Sequence, residues 1–276
     1  PKPRNIHKAI VRDRLLHHAI YRTLYPFFDR TFIADSYSCR KNKGTHKALN
    51  RFREFGYVVG KNNTRTCWVL KCDIRKFFAS IDQNILIQII ERHIKDKDII
   101  WLIKKVVESF HTNLGKGLPL GNLTSQLLVN IYMNEFDQFM KHTVKVKHYA
   151  RYTDDFVIIS NKREYLEQLV SHISDFLQIK LKLSLHPDKV YIQKYTRGID
   201  FLGQIIFPYH KLLRTKTRER IFKKIKVRVE QYNNGLISED TLNQSLQSYL
   251  GVLSHTNSYK QSEKLKNQFW FWYKKD

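Results

Sequence analysis

Three aspartates are the residues here whose types and spacing could do chemistry. Asp154 and Asp155 are adjacent in HYARYTDDFVIIS, residues 148–160, and Asp73 lies in CWVLKCDIRKFFASID, residues 67–82. Each sits among apolar and aromatic strand-formers. Adjacent like charges repel by about 4 kcal/mol at ~4 Å for an effective dielectric near ~20, and a carboxylate on a buried strand is costly unless paired or bound to a cation. Three convergent carboxylates would suit two Mg2+ ions, or Mn2+, about 3.5–4 Å apart, one activating a hydroxyl nucleophile and the other stabilising a leaving phosphate oxygen. An Asp-Asp pair is also ordinary turn chemistry; the second strand-borne acid upstream is what argues for more. Phosphoryl transfer is the class implied, with a two-metal nuclease and a nucleotidyl polymerase both open.

The charge balance bears on the substrate. Across 276 residues, 49 Lys and Arg stand against 25 Asp and Glu, a net charge of +24. Such an excess points to a polyanion, and first to nucleic acid. Hydrophobic residues make up 42%, so the chain folds rather than forming a disordered tail. Cys39, Cys67 and Cys72 form no CxxC pair and are read as reduced thiols of a cytoplasmic protein. No run approaches the roughly 18 apolar residues that span a bilayer, and PKPRNIHKAI lacks the apolar core of a signal peptide, so a membrane is not the expected partner. The 12 His show no metal-binding spacing, and His17-His18 are expected to pack or face solvent.

Several elements must position the acids. In VRDRLLHHAIYRTLYPFF, Leu15, Ala19 and Leu24 recur at helical spacing, and the polar, basic SYSCRKNKGTHKALNRF leads into a second helix. Val69, Leu70, Ile74, Phe77 and Phe78 predict a buried central strand that carries Asp73 and ends near Phe77. Helices are predicted over 85–94 and 99–110. Three glycines and a proline break the pattern in 114–121, and an amphipathic helix over 122–142 follows, with Asn122 or Thr124 as its cap. Residues 149–159 predict a β-hairpin with the acids at its tip. A helix over 162–179 and strand-like pieces at 190–193 and 201–207 come next. From Thr217 the chain is helical, with Phe222, Ile225, Val229 and Tyr232 on one face and Gly235 past the end. Ser238 can cap a further helix whose stripe is Leu242, Leu246, Tyr249, Leu250 and Leu253. The class is α+β, with helical lobes around a strand-rich middle.

These residues carry a resemblance. YTDD at 152–155 resembles the Y-x-D-D box of reverse transcriptases, and CDIRKFFASID at 72–82 resembles their first catalytic box. GLPLGNLTSQLLVNIYMNEFD at 117–137 is similar to the loop-and-helix box between them, HPDKV at 186–190 to the Lys-bearing segment, and FLG at 201–203 to the primer grip. RDRLLHHAIY and SYSCRKNKGTHKAL look like the fingers of group II intron and related bacterial enzymes. The boxes stand in family order over nearly the whole chain. The middle box departs from the usual Gln-Gly…Ser-Pro: here it is Leu120-Gly121 followed by Ser125-Gln126. That LGxxxSQ form resembles reverse transcriptases of diversity-generating retroelements, which copy a template-repeat RNA with frequent errors at adenines, alongside a small accessory protein.

The resemblance implies a right-hand polymerase fold: fingers over 1–66 with a helical insertion at 83–115, an antiparallel-sheet palm over 67–82 and 116–208, and a helical thumb over 209–276. It implies RNA-directed DNA synthesis on a DNA or RNA primer, with Asp73, Asp154 and Asp155 holding two metals while the primer 3′-hydroxyl attacks a dNTP. Lys189 would act as general acid to the pyrophosphate, and Lys2 and Arg4 would clamp the triphosphate. Phe78 matches the aromatic gate that excludes a ribose 2′-hydroxyl; if Phe77 and Phe78 alternate on a strand, only one can face the site. Leu120 stands where base and sugar are checked, and Gly121 allows close backbone approach. Ser125, Gln126, Phe201, Leu202 and Gly203 would contact nucleic acid. Arg12, Arg14, Arg40, Lys41 and Lys43 would follow the template, and Arg218, Arg220, Lys223, Lys224 and Lys226 would grip the duplex, though a charge run is usually a solvated helix face.

No maturase-type, HNH or RNase H segment is visible after the thumb-like helices, so polymerisation alone is expected. The competing readings are a silent RNA-binding protein with a polymerase fold, a two-metal nuclease, and template-free or defence-linked DNA synthesis. One test follows from Leu120. Loss of a Gln amide removes hydrogen bonds that reject wrong partners, so Leu120→Gln is expected to copy RNA more accurately; sequencing of cDNA from both proteins checks this, and matched error spectra would refute it.

Overall fold

The computed structural model describes residues 9–273; Lys2 and Arg4 lie outside them. The chain divides into two compact units, one up to Lys194 and one from Tyr195. The first contains α1 (Val11–Asp29), α2 (Thr45–Val59), β1 (Trp68–Asp73), a short α3 (Phe77–Ser80), α4 (Gln83–His93), α5 (Lys97–Glu108), α6 (Leu123–Gln138), β2 (Tyr149–Tyr152), β3 (Asp155–Ser160), α7 (Arg163–Leu181) and β4 (Tyr191–Lys194). Its sheet is antiparallel throughout, in the order β2-β3-β1-β4. The two inner strands are apolar but for Lys71 and their terminal residues, because both faces are covered: Val69, Leu70 and Cys72 of β1 and Phe156, Val157 and Ile158 of β3 are all fully buried.

The structure alters several expectations. β1 stops at Asp73, not near Phe77. Lys76 takes a left-handed conformation (φ 46°), which a strand cannot continue through, and its carbonyl accepts from the N–H groups of Ala79 and Ser80 to start α3. Phe77 and Phe78 therefore sit on a turn of helix rather than on alternate faces of a strand. The helix expected over 122–142 is α6 followed by a π-turn at Phe139–Thr143. It is not amphipathic: twelve of its sixteen residues are buried, as suits a helix enclosed by α1, α4 and α7. Asn122 stands at its N-cap without a side-chain bond. Leu15 is exposed, and α1 packs instead through Leu24, Tyr25 and Phe28. Caps that do form are Asp82 to the Ile85 N–H at 3.1 Å, and Asp96 to Asp98 and Ile99 at 2.9 and 3.1 Å.

The second unit holds the meander β5 (Ile199–Phe201), β6 (Gln204–Ile206) and β7 (Lys211–Leu213), then α8 (Thr215–Asn233), α9 (Glu239–Ser254) and α10 (Tyr259–Trp272). β7 and α10 had no clear sequence signal. The break at 194/195 comes ahead of the palm limit of 208 expected from the sequence, because β5 pairs with β6 and not with the first sheet. The three helices enclose Ile221, Ile225, Val229, Leu242, Leu246, Leu253, Leu265 and Phe269, and Ser238 caps α9. No helix among the described residues is long and apolar enough to cross a membrane.

Leu70 is the middle of β1 and fully buried. Leu70→Ala is expected to destabilise the first unit by about 2–5 kcal/mol, read as a lower denaturant midpoint at unchanged slope.

Candidate active site

Strand pairing brings the acids together. Asp73, the last residue of β1, lies directly opposite Asp155, the first of β3. Tyr152 pairs with Asp155, so Thr153 and Asp154 form a two-residue hairpin turn, with Thr153 at φ 58°. Burial and, next, the Asp73 charge push the Asp154 carboxyl upward. Burial pushes Asp155 up to about 7, against the pull of Lys71.

Two ammonium groups answer these carboxylates. Lys71 is buried on β1, two residues before Asp73, and ion-pairs with Asp155. No motif singles it out; its signal is a Lys inside a strand otherwise too apolar to hold one. Lys189 approaches from the 186–190 loop and sets Nζ 3.0 Å from Asp73 Oδ2. Its loop is docked on the end of β1: the His186 N–H donates to the Asp73 carbonyl at 2.8 Å, the Arg75 N–H donates to Ser184 at 2.9 Å, and Ile74 bridges Leu185. As placed, no group of three or more His, Cys, Asp or Glu among the described residues is gathered tightly enough to hold a metal ion. The donor set nonetheless fits a hard divalent cation. It consists of carboxylate oxygens, and for Asp154 and Asp155 burial and mutual repulsion disfavour the ionised form, which is what such a cation relieves.

The middle box is fastened beside the first. The Leu118 N–H donates to the Phe78 carbonyl at 2.9 Å and the Gly117 N–H to Ile81 at 2.8 Å. The Gln83 amide nitrogen reaches the carbonyls of Val107, Phe110 and Gly117 at 3.0, 2.6 and 2.9 Å, a clasp that no sequence motif announced. Phe78 is half-buried against the core. Leu120 is half-buried and Gly121 exposed at φ 105°. On α6, Ser125 is buried and Gln126 half-buried, while Thr124 Oγ1 lies 2.7 Å from Nδ1 of the buried His17.

The basic residues divide by surroundings. Arg12 and Arg14 are exposed on α1. Arg40 is turned inward: it donates to Asp29 Oδ1 at 2.6 Å, to the Ile33 and Ser36 carbonyls at 2.7 and 3.0 Å, and to the Asp29 carbonyl at 3.3 Å. Those bonds brace the loop after α1, which makes Arg40 a structural tie. Lys43 donates to the Ala34 carbonyl at 2.7 Å, and the Lys41 ammonium lies 5.8 Å from the Tyr25 ring centre. In the second unit, Phe201 is buried in β5, while Leu202 and Gly203 form the β5–β6 turn at φ 49° and 87°. Of the segment that resembles a primer grip, the turn is half-buried and the Phe201 ring is buried. On α8, Arg220, Lys223, Lys224 and Lys226 are exposed and Arg218 is half-buried.

Comparison with known proteins decides the family. The profile described as "Reverse transcriptase (RNA-dependent DNA polymerase)" matches residues 1–206. The chain belongs to the reverse transcriptase family. Protein YkfC of Escherichia coli is 26% identical, with 75% of this chain and 62% of that protein covered. The group II intron-encoded protein LtrA of Lactococcus lactis is 24% identical, over 69% of this chain and 42% of LtrA. The chain thus spans less than two thirds of these relatives. Among solved structures, apo telomerase from Candida tropicalis superposes with a TM-score of 0.60 over 95% of this chain and 52% of its own, at 12% identity; a Candida albicans telomerase complexed with a fragment of telomeric RNA gives 0.56 over 92% and 47%. The fold of this reverse transcriptase is accordingly the right-hand polymerase fold, α+β in class.

The raised Asp155 sets a pH dependence. Between its ordinary range near ~4 and about 7, the folded chain holds a proton that the unfolded chain has released. Stability should therefore fall as pH rises through that window. Asp155→Asn removes this slope, so in EDTA the wild type is expected to lose thermal stability relative to the variant between pH 5 and pH 8. Parallel pH profiles would contradict it.

Proposed function

We propose that this reverse transcriptase is an RNA-directed DNA polymerase that extends a DNA or RNA primer with dNTPs on an RNA template. The observation that carries the reading is the meeting of Asp73, Asp154 and Asp155 at adjoining strand ends, with Lys189 reaching Asp73. The fingers would comprise residues 1–66 and 83–115, the palm 67–82 and 116–208, and the thumb 209–276. The three aspartates would hold Mg2+ or Mn2+, which when bound supplies Lewis-acid stabilisation of charge on the reacting phosphates. Lys71 neutralises Asp155 from within the sheet. Lys189, exposed and held by a docked loop, would give a proton to leaving pyrophosphate. Half-buried Phe78 would bound the sugar, and Leu120 and Gly121 the base pair. Arg12 and Arg14 would follow the template electrostatically, as would the exposed cations of α8 with the duplex.

The LGxxxSQ box at 120–126 supports a finer assignment, the error-prone enzyme of a diversity-generating retroelement working with a small accessory protein. The unpaired-thiol pattern of Cys39, Cys67 and Cys72 favours the cytoplasm as its place of action.

Primer extension on a defined RNA template with Mg2+ and dNTPs tests the reading. Wild type should yield templated cDNA, and Asp154→Asn should lose at least about a hundredfold in rate, the scale on which misplacing one catalytic group acts. Errors opposite template adenines would support the retroelement assignment. Homopolymer made without template would replace the reading with template-free synthesis, and tight salt-sensitive RNA binding without extension would replace it with a silent binding protein.

A further inference from the structure

Behind the Thr153-Asp154 turn lies a buried ion pair to which nothing above gives a role. Arg151 on β2 and Asp137 on α6 have side chains 1% and 0% exposed. They meet through two bonds, Nε to Oδ1 at 2.8 Å and Nη2 to Oδ2 at 2.5 Å. The Tyr149 hydroxyl donates to the same Oδ1 at 2.7 Å. The guanidinium has further N–H groups to place. Nη2 also donates to the Ser36 hydroxyl at 3.1 Å, and Nη1 donates to the Thr153 carbonyl at 2.9 Å.

Thr153 immediately precedes Asp154 and is β-branched at φ 58°, a conformation that persists only where its surroundings enforce it. A second tie supplies that force: the Thr153 hydroxyl donates to the Ser38 hydroxyl at 2.6 Å, and Asn130 of α6 holds the Ser38 carbonyl at 2.8 Å. Segment 35–38 is itself laid along the outer edge of β2. The Arg151 N–H donates to the Asp35 carbonyl, and the Tyr37 N–H donates to the Arg151 carbonyl, both at 3.0 Å. The turn is thus gripped at its carbonyl and at its hydroxyl from two separate elements. A buried ion pair is a weak device for stability, since apolar residues of like volume often serve as well. A planar fork that serves an acid, a hydroxyl and a carbonyl at once is a strong device for geometry, and a Lys cannot copy it.

We propose that Arg151, clamped by Asp137, is a positioning residue: by holding the Thr153 carbonyl it fixes the direction in which Asp154 and Asp155 face. The inference rests on the polymerase reading above. Nucleotide and template contacts belong to other residues, so the effect falls on the chemical step, where a displacement of about 1 Å is worth roughly a hundredfold.

The test is single-turnover addition of one dNTP to a primed RNA template by wild type, Arg151→Lys and Tyr149→Phe, with thermal midpoint and primer-template affinity measured for each. Arg151→Lys keeps the charge opposite Asp137 but loses the fork. Its rate constant is expected to fall roughly 10- to 100-fold, with dNTP and primer-template affinities within about twofold of wild type by the same division of contacts. Tyr149→Phe removes one bond to Asp137, strands no charge, and should lower the same rate constant a few-fold. A wild-type rate in folded Arg151→Lys overturns the inference, as does a loss matched by the fraction unfolded at the assay temperature. Should Arg151→Lys fail to fold, Tyr149→Phe at wild-type rate overturns it. Mn2+ affinity measured by EPR needs no turnover and separates the two ideas. An inactive wild type sinks the polymerase reading, and the positioning role is then decided by whether Mn2+ binding weakens in the variants; unchanged affinity refutes it.

Discussion

Mutual repulsion among Asp73, Asp154 and Asp155 is the constraint that the first unit is organised around. Antiparallel pairing of β1 with β3 places two of the acids opposite each other, and the hairpin turn supplies the third. Burial worsens the repulsion and drives the Asp155 carboxyl toward neutral pH. Each compensating cation needed its own arrangement. Lys71 had to be buried inside a strand, and Lys189 had to be brought in by a loop stitched to the end of β1. Divalent cations offset the same charge, so lysine and metal are alternative answers to one electrostatic demand.

Around the acids, stiffness comes from α6. Because it is enclosed by α1, α4 and α7 rather than lying on the surface, its polar side chains work as internal struts. Asp137 takes Arg151 and Tyr149, Asn130 takes the Ser38 carbonyl, and Thr124 meets His17. A hydrogen-bonded polar network inside a core specifies geometry more than it adds stability. The hairpin, a two-residue turn with a disfavoured Thr153, would otherwise be a mobile place to keep two carboxylates.

The site was legible in the sequence to the extent that it was local. Asp73, the Asp-Asp pair and the hairpin read directly, because alternation, turn chemistry and misplaced charge all act within a few residues. The helices α4 and α5 read for the same reason. What failed depended on partners far along the chain. Phe77 and Phe78 have strand-former side chains, yet the left-handed Lys76 decides their conformation. The apolar pattern of α6 reads as one-faced, because the Asn, Asp and Tyr on its other faces look solvent-exposed until Ser38, Arg151 and Leu181 are found to receive them. Arg40 looks like a free surface cation until Asp29 and three carbonyls claim it. Lys71 gave a signal that could have been used: a charge in the middle of an apolar strand asks for a counter-charge on the neighbouring strand.

The register between β1 and β3 has one more consequence. Side chains alternate faces along a strand, so a shift of one residue sends each of them to the opposite side of the sheet. With Asp73 held opposite Asp155, a residue added or deleted between Lys71 and Asp73 would turn Lys71 away from Asp155 and reverse Val69 and Leu70. The connection from 74 to 148 is under no such parity rule, since it leaves one strand and rejoins at another through helices and turns. A change in length is therefore cheaper in the connections than within the strands that carry the acids.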